Sequence, residues 1–410
     1  MHAIKDSVHD HVPVTPLAAD LLDTPLLQRL RHIKQLSTVR LVYPSASHTR
    51  FEHSLGVYHL ASRALEHLDA TDEEARHVRA AALLHDVGHG PYGHQTEGVL
   101  VRHLDRTHDE VADVLAGSAA ADALRAHDVS PERVAGLVDG RGPLGDLVSG
   151  AVDVDRMDYL VRDAHHTGVP YGTIDHERLV RELRRVDGGG GSESRTTGTA
   201  NGAGGGGDGL ALAEGNVRTA EALLVARGLM NWTVYRHHVS RVAGAMLELA
   251  AERLLAGGLP ATAFVRMADH DLLVALRDRV PDLGRRIEYR DLYKRAVWAG
   301  IDAVPEAYVG LPFEESRAAA REVADRAGVE PTQVVVDAPS PPTFRESGAR
   351  VVVDGAVRRL ADVSELVSAV RAVERDQWRL GVYAPAEHRA VVADAAVAVL
   401  GLPDRVARHG

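Results

Sequence analysis

Ala80-Ala81-Ala82-Leu83-Leu84-His85-Asp86-Val87-Gly88-His89-Gly90 is the stretch on which the reading of this chain turns. The unbroken run of small and aliphatic residues belongs on a buried helix. It leads straight into a His-Asp pair followed by two glycines. Neighbours on a helix point about 100° apart, so both side chains reach one point only where the helix stops. Gly88 and Gly90 predict that stop. A bare His-Asp says little, since His9-Asp10, His108-Asp109, His127-Asp128 and His270-Asp271 occur as well. Only the copy at 85–86 follows a buried helix directly.

Working outward, the same helical period recurs through most of the first 300 residues. Segments near 16–40, 50–69, 74–87, 107–117, 131–138, 144–166, 176–185, 215–256, 269–280 and 284–297 read as helices, with Asp23-Thr24-Pro25 as a cap and first-turn proline. Apolar residues make up 45% of the 410, yet aromatics only 4%, so the core is built from Ala, Val and Leu. The expected fold is mainly α: a helical catalytic domain over residues 1–300 and a small α+β region over 301–410. In the latter, Val334-Val335-Val336 and Val351-Val352-Val353 read as short strands. Gly188 to Gly209, with two four-glycine runs, reads as a flexible insert, and its flanks Leu183–Val186 and Leu210–Ala213 are candidates to pair as a hairpin.

Composition also excludes. The formal charge of −11 argues against nucleic acid as the main partner, and the absence of cysteine removes disulfides, thiolate ligands and Cys nucleophiles. No apolar run is long enough to cross a membrane, and nothing at the N-terminus resembles a signal peptide. A cytoplasmic location is the expectation.

Three segments bring metal-ligand residue types onto apolar helices: His53 in Arg50-Phe-Glu-His-Ser-Leu-Gly56, the pair His85-Asp86, and Asp155 in Asp153-Val-Asp-Arg-Met-Asp-Tyr159. Two imidazoles and two carboxylates form a mixed N/O set of charge −2, suited to a hard or borderline divalent ion. Mn, Fe, Mg, Ni and Zn all fit such a set.

These ordered motifs resemble the HD-domain phosphohydrolase superfamily, and within it the deoxynucleoside triphosphate triphosphohydrolase branch. Asp23-Thr-Pro-Leu-Leu-Gln-Arg-Leu-Arg31, Ile33-Lys-Gln-Leu36 and Ile287-Glu-Tyr-Arg-Asp-Leu-Tyr-Lys294 extend the likeness. The resemblance implies an HD helical bundle and a dNTP cleaved at the α-phosphorus to deoxynucleoside and tripolyphosphate. It implies acid catalysis by His94 and His108 steered by Glu97, with His89 a further candidate for the proton. Arg50, Arg156, Tyr159 and Arg227 match phosphate-side positions, Arg156 standing where a mammalian member carries Lys. Gln35 and Asp163 match residues that bond the sugar 3′-hydroxyl, and Leu36 and Tyr235 match those packed on C2′. Asp23, Gln28, Arg31, Arg290 and Lys294 match an activating-nucleotide site that lies between subunits, which would make the chain a homo-oligomer. The alternatives are an HD phosphohydrolase for nucleoside monophosphates or cyclic nucleotides, and a non-enzymatic binding protein on the same scaffold.

Overall fold

A computed structural model describes residues 2–186, 209–341 and 348–403. The N-terminal residues form an antiparallel hairpin, His2–Asp6 with Asp10–Val14, in the register His2↔Val14 to Asp6↔Asp10. Two short helices follow, Pro16–Leu22 and Pro25–Arg29, each with proline in its first turn. The central trio of helices comprises Arg50–Leu65, Asp72–Leu84 and Val154–Thr167.

Local chemistry sets the phase of that trio. Thr49 and Glu52 close a capping box on the first helix, and Thr71 and Glu74 close one on the second. Asp153 caps the third through the backbone N–H of Arg156, and Gly168, left-handed at φ 72°, ends it. With start points fixed, the first helix buries His53 among Phe51, Leu55 and Val57, and the second buries Ala80 to Leu84.

The main core runs from Val12 to Val370 and therefore draws on both ends of the sequence. A four-stranded sheet joins the ends: Leu183–Val186, Gly209–Leu212, Arg350–Val353 and Ala356–Arg359, in that order. The outer pairs are antiparallel, and the central contact, Leu212↔Val351, is parallel. The expected pairing of residues 183–186 with the segment after the glycine tract is thus present, while residues 187–208, which hold nearly all of the 188–209 insert, lie outside the described residues. A second core gathers residues between Ala296 and Leu402 around a three-stranded antiparallel sheet of Lys294–Gly300, Arg379–Ala384 and Val335–Asp337.

Several expectations change: 107–117 is helical only at Ala112–Leu115, the unit read as helical opens with a β-hairpin, and two further segments differ. The segment 284–297 is not one helix: Pro281–Glu288 is helical, Arg290 turns left-handed at φ 58°, and Lys294–Gly300 is a strand paired with 379–384. The apolar positions of so short a segment satisfy either period, and the cross-strand partners decide. Also, the helix leading into His85-Asp86 ends without help from glycine. Its last residue is Leu84, His85 is the C-cap, and neither Gly88 nor Gly90 has positive φ.

Candidate active site

At the end of the 72–84 helix, His85 donates from Nδ1 to the carbonyl of Ala82, 2.9 Å away, and turns Nε2 inward. His53, on the 50–65 helix, donates from Nδ1 to Asp158 Oδ2 at 2.8 Å and likewise turns Nε2 inward. The two Nε2 atoms meet at 3.2 Å. Asp155 Oδ1 stands 2.9 Å from the first and 3.7 Å from the second, and Asp86 Oδ1 is 3.5 Å from His85 Nε2. Ligand atoms about 2.1 Å from one ion and at right angles to it lie about 3 Å apart, so these spacings suit a single divalent cation.

The donor set gives a further test. An acceptor already occupies each Nδ1, so the two Nε2 atoms face one another, and a cation between them would replace the proton on His53 and use both lone pairs. The groups around His53 also seek positive charge. Burial opposes charging of its ring, but the bonds to Asp155 and Asp158 prevail and raise it to about 10. Burial opposes ionisation of Asp86 too, yet the Arg50 charge, with the His85 and His89 rings beside it, holds its carboxyl well below the ordinary range. His53, His85 and Asp86 bring one ligand atom each close enough to hold a metal ion together, and Asp155 Oδ1 stands beside the two imidazoles. Three are buried; Asp155, with 35% of its side chain exposed, is the corner open to solvent.

The proton-handling candidates form an adjoining cluster. Glu97 accepts from His108 Nδ1 at 2.6 Å and from His94 Nδ1 at 3.1 Å. The His89 and His108 rings stack at 3.9 Å, and His89 Nε2 lies 3.3 Å from Asp86 Oδ1, which connects the two clusters. Burial, the Arg50 charge and His108 hold His89 well below its ordinary pKa, hence neutral. His108 behaves oppositely: burial works against its charge, but Asp109 and Glu97 raise it to about 10. Gly88 explains their closeness, because a Cβ there would lie 2.0 Å from the His108 carbonyl oxygen.

Arg50 is buried, and its NH1 donates to Asp86 Oδ2 at 2.9 Å. Its Nε and NH2 are buried without a partner among the described residues. Two unsatisfied donors of a guanidinium carry a substantial desolvation cost, which an oxyanion would offset. NH2 approaches Gly93, where a Cβ would sit 2.4 Å from it and where φ is +53°. Arg156 is engaged differently: its NH1 donates to the carbonyls of Gly150 and Ala151 and to Asp153.

The sugar-side candidates are contiguous. Asp163 accepts from His48 Nε2 and from the Tyr235 hydroxyl, both at 2.8 Å. Gln35 takes the His48 carbonyl with its backbone N–H, and its Oε1 is buried without a partner among the described residues. Tyr159 meets Tyr235 edge to face at 6.1 Å, the Arg227 charge acts on Tyr235, and Leu36 is 9% exposed in the main core. Tyr235 ends a π-helical turn, Asn231–Tyr235. The activator candidates fall into two groups that no described hydrogen bond or ion pair links. Gln28 holds the Leu22 carbonyl and the Nε of Arg31, near exposed Asp23. Arg290 and Lys294 line a basic cavity of about 340 Å³ with Arg295, Arg389 and His238.

The layer behind the ligands escapes a reading of the sequence: Asp158, Arg162, Asp6, His9 and His48. For Asp158 a signal exists, since it stands three residues beyond Asp155 and so on the same helical face. His9 shows there only as one of the stray His-Asp copies.

Comparison with known proteins identifies the family. The HD domain family matches residues 50–163, and the HD associated region matches residues 174–409. An uncharacterized protein of Methanocaldococcus jannaschii is 31% identical over 94% of this chain and 80% of its own length. Deoxynucleoside triphosphate triphosphohydrolase SAMHD1 of Gallus gallus is 32% identical over 46% of this chain, the match spanning 38% of that longer protein. A solved structure, a hypothetical protein from Aquifex aeolicus, superposes with a TM-score of 0.74 at 25% identity, covering 96% of this chain and 99% of that one. The chain belongs to the HD-domain phosphohydrolases.

Proposed function

We propose that this protein hydrolyses deoxynucleoside triphosphates to deoxynucleoside and tripolyphosphate, using a divalent metal held by His53, His85, Asp86 and Asp155. The observation that carries the reading is Arg50: two buried, unpartnered guanidinium nitrogens on the residue that also bonds a metal-facing carboxylate. A polyphosphate oxygen answers both nitrogens. When bound, the cation supplies Lewis acidity, acidifying water and offsetting phosphate charge.

The chain's own groups supply the rest. His108, held charged by Glu97 and Asp109, keeps a proton at neutral pH, and His94 shares the same carboxylate at the exposed side. That pair can deliver a proton to the departing sugar oxygen. Gln35, with its free buried oxygen, and Asp163, placed by His48 and Tyr235, suit a sugar hydroxyl. Leu36 and the Tyr235 ring give a 2′-hydroxyl no partner, which disfavours ribonucleotides. The basic cavity at Arg290 and Lys294 would take the phosphates of an activating nucleotide, with Asp23, Gln28 and Arg31 serving a neighbouring subunit. Likeness to SAMHD1 over its matched segment supports the same direction.

Product analysis with each dNTP, rNTP and NMP plus Mn²⁺ tests the proposal. Tripolyphosphate arising only from dNTPs is the expected result; orthophosphate from monophosphates would overturn it.

A further inference from the structure

We infer that the N-terminal hairpin is a functional part of the metal centre, with Asp6 and His9 as positioning residues that fix Asp158 and, through it, the ring of His53. The inference rests on the reading of His53 as a ligand.

The chain of contacts is short and buried. Asp6 Oδ1 accepts the backbone N–H groups of Val8 at 2.9 Å and His9 at 2.8 Å, folding the turn that presents His9. His9 Nε2 then donates to Asp158 Oδ1 at 2.6 Å, with 1% and 0% of the two side chains exposed. The other oxygen of Asp158 takes the His53 Nδ1 proton. Arg162, fully buried, binds both carboxylates: Nε and NH2 to Asp158 at 2.9 and 3.0 Å, NH1 and NH2 to Asp6 at 2.8 and 3.1 Å. Oδ1 of Asp158 is therefore held by His9 and Arg162, and Oδ2 by Arg162 and His53.

Three observations assign this network a positioning role. Buried ion pairs are poor stabilisers compared with apolar packing of the same volume, so five ionisable side chains here call for another reason. The 50–65 helix makes room for them: a Cβ on Gly56 would sit 1.9 Å from Asp158 Oδ1 and 2.4 Å from Arg162 NH2. The His9 ring is also packed by His59, stacked at 5.0 Å, and by His176, edge to face at 5.5 Å, which restricts the direction of its Nε2. A two-stranded hairpin is marginal by itself in water. Its docking and the occupancy of the metal site are therefore linked, each favouring the other.

The experiment measures Mn²⁺ affinity by chelator competition on the full chain, for wild type, His53→Ala, His9→Ala, His9→Gln and Asp6→Asn. The expected result is loss of Mn²⁺ binding in His53→Ala. In His9→Ala and Asp6→Asn affinity should weaken about 10- to 100-fold, the range for groups that orient a ligand. His9→Gln, which keeps a donor near the Nε2 position, should recover most of it. Should His9→Ala and Asp6→Asn lower Tm while the folded protein binds Mn²⁺ as tightly as wild type, the hairpin is merely structural and the inference falls. Retention of Mn²⁺ by His53→Ala would instead remove the ligand reading beneath it.

Discussion

Two neighbouring clusters use the same residue types to opposite ends. In the first, His53 and His85 spend Nδ1 on an outer carboxylate and a carbonyl and turn Nε2 inward. In the second, His94 and His108 turn Nδ1 inward onto Glu97, and the His89 ring packs on that of His108 by its face. Both groups have the residue types to hold a metal ion, and on the proposed function the first does so while the second keeps a proton on His108. On that reading, which nitrogen the surroundings have already taken decides whether a histidine is suited to be a ligand or an acid.

The largest expected effect breaks the first cluster outright. Asp155→Ala should lose bound metal and dNTP hydrolysis together, seen by elemental analysis and product assay; full activity would remove Asp155 from the site. His108→Ala should lower kcat by about 10²- to 10⁴-fold, the range for a positioned acid, with metal content unchanged. Metal loss in that variant would erase the division between the clusters. Gly56→Ala tests the layer behind the ligands: its methyl meets Asp158, so stability should fall by about 1–3 kcal/mol and Mn²⁺ affinity should fall with it.

The smallest effects sharpen the comparison. Leu36→Ala should narrow the preference for dNTP over rNTP by about tenfold, read as the ratio of kcat/KM values. The pH dependence follows from His108, whose pKa in the folded chain, about 10, lies above its ordinary 6.5. A group raised in this way contributes its full stability below pH 6.5 and loses it as pH climbs through 10. The Tm gap between wild type and His108→Gln should accordingly be widest near pH 6 and close as pH rises towards 10.

Much of the inner site is legible in the chain itself. The apolar run into His85-Asp86, the His53 helix and the Asp155 helix are local patterns, and local patterns survive folding. The outer layer is less accessible for two reasons. Asp158 and Arg162 lie three and seven residues beyond Asp155, a spacing the sequence displays but that any surface helix also shows. His9 meets Asp158 across 149 positions, and no period within either segment records that contact. The glycines teach a related lesson. Gly56 and Gly88 suggest flexibility or a helix stop, yet each is small because another chain segment passes against it. Residues 294–297 read as helix for the same cause, because the strand character of Lys294–Gly300 resides in partners at 379–384, far along the chain.

The π-helical turn that ends in Tyr235 is held at both ends by one carboxylate. Glu374, buried on the helix Glu365–Asp376, accepts from Asn231 at the start of the turn and from Arg236 just after it. A π-helical turn winds one extra residue into a helix, and here a side chain from the C-terminal region braces it. The turn that places Tyr235, and with it the hydroxyl bonded to Asp163, is thus braced by a residue far downstream in the chain.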